Sequence, residues 1–157
     1  MFFAQNRFSG KERSSGLKRN KASRPILCAL ALAGACLAQA SLAADKAQVY
    51  FISPQNGDVL SNPITVKFGL SGMGVAPAGI EVSNTGHHHL LIDVAEPPRA
   101  GTTIPADDRH RHFGGGQTET TLNLSPGEHT LQLLVGDHLH RPHDTPVMSE
   151  KITITVK

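Results

Sequence analysis

From residue 47 onward apolar and polar positions alternate in short runs, and no run repeats at the 3.6-residue spacing of a helix. Residues 47–52, 64–70, 80–82, 87–94, 118–124, 129–135 and 151–156 read as strands, separated by Pro, Gly, Asn and Asp. Successive side chains of a strand point to opposite sides, so Ile64, Val66, Phe68 and Leu70 share one face, with Thr65, Lys67 and Gly69 on the other. By the same parity Leu131, Leu133 and Val135 line the inner face of the sixth run, and Ile152, Ile154 and Val156 that of the last. In the fourth run Leu90, Ile92 and Val94 form the apolar face. His88 shares their parity and points inward, whereas His87 and His89 point outward with Leu91 and Asp93. The breaks carry turn chemistry, as in Pro54-Gln55-Asn56-Gly57-Asp58 and Ser125-Pro126-Gly127, and a long polar loop covers 95–116. About seven strands at this spacing predict an all-β fold, an immunoglobulin-like β-sandwich, with a small open β-barrel as the alternative.

The first 43 residues have a different character. They hold seven Lys or Arg against one acid, then an apolar run over 26–38, then the small-residue stretches Ala38-Gln39-Ala40 and Ser41-Leu42-Ala43. This is the pattern of a secretory signal peptide cleaved after Ala43, with Ala40 the rival position. The apolar run is shorter than the roughly 20 residues a membrane span requires. The predicted organisation is a leader over 1–43 and one periplasmic or secreted domain over 44–157, with no membrane span in the mature chain. Cleavage removes both cysteines, Cys28 and Cys36, leaving no disulfide and no thiolate ligand. The remainder carries eight basic and twelve acidic residues, a net charge of −4 with neutral histidine, which excludes general nucleic-acid binding.

All nine histidines lie between His87 and His143. Six fall in three His-x-His pairs, His87/His89, His110/His112 and His138/His140, with His143 close behind. On a strand, residues two apart share a face at roughly 6.5–7 Å, so two imidazoles of such a pair can converge on one ion. Neutral imidazole suits zinc, copper and nickel, and two thioethers, Met73 and Met148, are too few for a Met-rich Cu(I) site. The pattern points to a non-enzymatic binding domain for Cu(II) or Zn(II). Asp93, Asp107, Asp108, Asp137 and Asp144 are reserve oxygen ligands, or carboxylates that orient an imidazole. His88 and His129, by parity, are core or hinge groups bonded to backbone or carboxylate.

Two other readings use the same residues. In a metal-free interaction module, the loops over 95–116 and 137–146 contact an envelope protein or a glycan. In a metal-dependent hydrolase or oxidase, Glu119 acts as general base beside a metal-bound water, although an exposed strand carboxylate accounts for it more simply. Gly114-Gly115-Gly116 precedes a strand rather than a helix, so it is a joint allowing close backbone approach to the His110/His112 loop, not a phosphate cradle.

The motif Gly86-His87-His88-His89-Leu90-Leu91-Ile92-Asp93 is followed by His110-x-His112-Phe113-Gly114, by Gly116-Gln117-Thr118-Glu119, by Pro126-Gly127-x-His129 and by Gly136-Asp137-x-x-His140-x-Pro142-His143. In order and spacing these resemble DUF4399, a bacterial family of exported domains without assigned activity. The resemblance implies matching histidines at His88, His89, His110, His112, His129, His140 and His143, and so takes weight from His138. The expected ligand set is then His87, His89, His110, His112, His140 and His143, converging at one end of the sandwich.

Overall fold

The computed structural model describes residues 46–157; the expected leader over 1–43, with Cys28, Cys36 and the expected cleavage site, lies outside the described residues. Among the described residues nine strands form: β1 (Gln48–Ser53), β2 (Val59–Leu60), β3 (Ile64–Ser71), β4 (Gly74–Val75), β5 (Thr85–Ile92), β6 (His110–His112), β7 (Glu119–Leu122), β8 (Gly127–Gly136) and β9 (Ile152–Val156). They make two sheets, one in the order β1-β3-β7 and one in the order β2-β9-β8-β5-β4, with β6 also paired to β5. The fold is all-β with two sheets in a sandwich-like arrangement.

The core follows the parity of the sequence. Val66, Phe68, Leu90, Leu131, Leu133, Val135 and Ile154 are almost fully buried in one cluster between the sheets. Leu122 from β7 and Val156 from β9 complete it. Each such side chain removes apolar area from water worth about 1.5–3 kcal/mol.

The two-residue strands β2 and β4 are not marked by the alternation, and the structure departs from the pattern in three further places. Residues 80–82 form no strand and belong to an exposed loop, with Ile80 and Val82 about half exposed. A three-residue apolar alternation without a partner edge does not make a strand. Conversely, His110–His112 lies inside the expected polar loop yet pairs antiparallel with β5, His89 opposite His112 and Leu91 opposite His110. Val94 was expected on the inner face with Leu90 and Ile92, but Asp93 adopts a φ of 54° and ends the alternation. Val94 joins Leu91, Ile104 and Leu134 in a second apolar cluster instead.

That second cluster positions the site. β5 and β8 are buried on both faces, so Gln132 and Leu134 are as enclosed as their core-facing neighbours. The outer face of this sheet is roofed by the chain over 93–109 and the turn after β8, where Ile104 donates its N–H to the His140 carbonyl at 2.7 Å.

Candidate metal centre

Strand alternation splits the run His87-His88-His89. His88 faces the main core, fully buried, with its ring centroid 4.8 Å from that of Phe68. His87 and His89 face the opposite side and are buried too, each about 1% exposed. In β8, Gly136 lies opposite His87 and Leu134 opposite His89; in β6, His112 lies opposite His89. Backbone bonds extend the β6 pairing at both ends, from Ile92 N to Arg109 O at 2.8 Å and from Phe113 N to His88 O at 3.1 Å.

These registers bring rings together that the sequence separates by more than twenty residues. The centroid of His87 lies 4.9 Å from that of His89 and 5.0 Å from that of His112, and His89 and His112 are 5.1 Å apart. His140 borders the group, 4.6 Å from His112, 5.0 Å from His87 and 6.2 Å from His89. One ring nitrogen from each of His87, His89 and His112 lies within 4.8 Å of the others. Metal–nitrogen distances of about 2.0–2.1 Å in tetrahedral geometry bring such atoms to roughly 3.3 Å, so the rings close on an ion by small rotations.

Two glycines make the room. A Cβ on Gly114 would clash with Cε1 and Nε2 of the His112 ring, and one on Gly136 would sit 2.9 Å from His89 Nε2. Either position tolerates only a residue without a side chain.

The electrostatics suit a cation. Neither ring nitrogen of His87 or His89 has a hydrogen-bond partner. An unpaired buried polar atom costs about 1–3 kcal/mol, so these four atoms require an explanation, and a bound cation supplies one. Burial, reinforced by the neighbouring His112 and His140, pushes the His87 pKa down to about 4. Burial, together with His87 and His112, takes His89 down to about 3. His112 is lowered by burial and by His140. At neutral pH His87, His89 and His112 are therefore neutral, each with a lone pair free for a metal. The cluster of His87, His89 and His112 can coordinate a metal ion.

Most of these elements fall within one stretch that also carries a family signature, residues 66–157, matched by the model described as "Domain of unknown function (DUF4399)". The chain belongs to the DUF4399 family. The match spans more than half of the chain and includes every histidine. No curated protein and no solved structure matches the chain.

The other histidines of the DUF4399 domain serve elsewhere. His110 was expected among the ligands, yet its Nδ1 bonds Asp107 Oδ1 at 2.8 Å, outside the converging group. His143 was expected there too; its buried, unpartnered Nε2 lies beside Gly86, on the side of β5 that His88 faces. His138 Nε2 stands 3.9 Å from Glu81 Oε2. His129 bonds Asp93 Oδ2 through Nδ1 at 2.7 Å and the Ser125 carbonyl through Nε2 at 2.9 Å. The Asp93 carboxylate and the Ser125 carbonyl both accept, which favours the protonated ring, and the Asp93 hydrogen bond raises its pKa. His88 has no hydrogen-bond partner; burial lowers its pKa against a smaller upward pull from the nearby Gln117 backbone.

Of the reserve carboxylates, Asp93 and Asp107 do orient imidazoles, although neither imidazole belongs to the cluster. Asp137 Oδ1 instead accepts the N–H groups of Leu139 and Arg141, holding the turn that carries His140. Glu119 sits in β7 of the three-stranded sheet, 3.7 Å from Lys67 Nζ and largely exposed. Gly114 fits the close approach anticipated for the glycine run. Gly136 is a site residue that sequence reasoning missed, since nothing in the pattern marks the residue across from His87. Among the described residues no helix is long and apolar enough to cross a membrane.

Proposed function

We propose that this is an exported domain, periplasmic or secreted, that binds a transition metal without catalysing a reaction. His87, His89 and His112 form the base of the site and His140 supplies the fourth nitrogen. The observation that carries this reading is the pair of buried imidazoles, His87 and His89, whose ring nitrogens lack every hydrogen-bond partner while converging on His112. An all-imidazole donor set suits Cu(II) or Zn(II). His110 and His143 are left outside the ligand set, because one is committed to Asp107 and the other lies across β5. Export rests on the leader over 1–43. The strand orders β1-β3-β7 and β9-β8-β5 support reading the sandwich as immunoglobulin-like.

The binding reading is preferred to the enzymatic one because the proposed base, Glu119, belongs to the other sheet and is paired with Lys67. A metal-free interaction surface is the second reading, favoured by the half-exposed Ile80, Val82 and Leu139 around His138. Elemental analysis of protein purified without a polyhistidine tag separates the two. The metal reading expects one equivalent of copper or zinc after loading; less than about 0.1 equivalent, with no heat of binding on titration, overturns it.

A further inference from the structure

His87, His89 and His112 are delivered by a hydrogen-bonded sheet, but His140 is delivered by a turn. His140 has a φ of 61°, in the left-handed region that residues with a Cβ avoid unless their surroundings impose it. The surroundings here are a clamp centred on Asp137. Its Oδ1 accepts the N–H of Leu139 at 2.8 Å and of Arg141 at 2.9 Å, the residues either side of His140. Its Oδ2 takes the Arg141 guanidinium at 3.2 and 3.3 Å. Its backbone N–H reaches Arg141 O at 2.8 Å, and its carbonyl accepts the His140 N–H at 2.9 Å. The carboxylate hydrogen-bonds no imidazole; besides the pull of its charge on His87, it acts on the centre through the turn.

We propose that Asp137 is a positioning residue that sets the coordination number of the metal, by holding His140 as the fourth nitrogen above the base of His87, His89 and His112. The proposal rests on the metal-binding reading above. Its physical basis is the difference between the two supports. The sheet holds three ligands whether or not Asp137 is present, because the β5–β6 and β5–β8 ladders do not use it. Without the carboxylate, residues 138–141 keep their backbone bonds but lose the four side-chain bonds that tie down the residues either side of His140, and the ring leaves the site. Water then takes its position, and a closed four-nitrogen centre becomes an open three-nitrogen one.

Cobalt(II) reports the change, because tetrahedral cobalt absorbs strongly in the visible and loses intensity when water adds. The wild-type domain should bind one cobalt with the intense band. Asp137→Ala should still bind one cobalt, with a weakened band and an affinity lower by about 10–100-fold, and added imidazole should restore the intensity. Asp137→Asn, whose amide oxygen can still accept the Leu139 and Arg141 N–H groups, should keep the wild-type spectrum. His140→Ala should reproduce the Asp137→Ala spectrum, and adding Asp137→Ala to it should change nothing further. If Asp137→Ala fails to fold by circular dichroism, Asp137→Ser is judged by the same criteria. A wild-type spectrum and affinity in either Asp137 variant lacking the carboxamide, or in His140→Ala, overturns the proposal, as does an additional loss in the double variant. Failure of the wild type to bind cobalt, copper or zinc overturns the metal reading itself, which is a different result.

Discussion

Two histidine environments in this domain show opposite chemistry. In the cluster under the turn after β8, His87 and His89 are buried without a single hydrogen-bond partner, and their pKa values fall to about 4 and about 3. Where β5 ends, His129 is bonded by acceptors at both nitrogens, and its pKa rises. The residue type is the same; the difference is a carboxylate within hydrogen-bond reach. Asp93 bonds His129 and stabilises its charged form, whereas Asp137 acts on His87 only through its charge, and burial with the neighbouring imidazoles outweighs it. His129 is therefore a clamp between β8 and the chain leaving β5, whereas the cluster offers neutral ring nitrogens able to hold a cation.

The comparison breaks most visibly at His89. His89→Leu should reduce metal affinity by more than the roughly 100-fold that outer-shell changes cost, while the metal-free protein keeps or gains stability by losing two unpaired buried nitrogens. Isothermal titration and thermal denaturation of the same samples check both halves. Loss of stability without loss of binding would make His89 an ordinary core residue.

A somewhat smaller effect is expected from Gly114→Ala, whose Cβ would invade the His112 ring. Affinity should drop by about 10–100-fold with the stoichiometry kept, because the displaced ring remains tethered to β6. The converse behaviour belongs to the clamp. His129→Ala should cost about 1–2 kcal/mol of stability in chemical denaturation, toward the low end for a charged hydrogen bond because Asp93 is partly exposed, and should leave metal affinity unchanged.

The two environments also respond to pH with opposite sign. His87 and His89 have folded pKa values below the ordinary 6.5, so the unfolded chain takes up protons first. Their contribution to the stability of the metal-free domain is present above pH 6.5 and is lost as pH falls from there toward about 4 and about 3. His129 has a raised folded pKa, so its contribution is full below 6.5 and is lost as pH rises through the raised value. The stability gap between wild type and His129→Ala should therefore shrink on the alkaline side of 6.5, and denaturation at a series of pH values measures it. The smallest effect is expected at His110→Ala, where metal stoichiometry should not change.

Much of the fold was legible because a strand has a period of two. Ile64, Val66 and Phe68, or Ile152, Ile154 and Val156, announce their inner face without reference to any partner. The same parity separated His88 from His87 and His89, and turn and loop composition located most strand ends. Parity could not reveal that the outer face of β5 is covered, since that depends on how the chain over 93–109 folds back. Nor could it show that His110–His112 is a strand, because three polar residues pair only where an edge of β5 is open to them.

The sequence by itself determined an all-β chain, the inner faces of its strands, and a supply of imidazoles in a stretch, residues 44–157, that holds no cysteine. Only the tertiary structure decided which imidazoles meet. Ligand convergence is a matter of register between β5, β6 and β8 and of a turn held in a left-handed conformation. Those are long-range pairings, and residue spacing along the chain carries no information about them. Whether a histidine becomes a charged clamp or a neutral donor depended, in the same way, on the carboxylate that folding placed beside it.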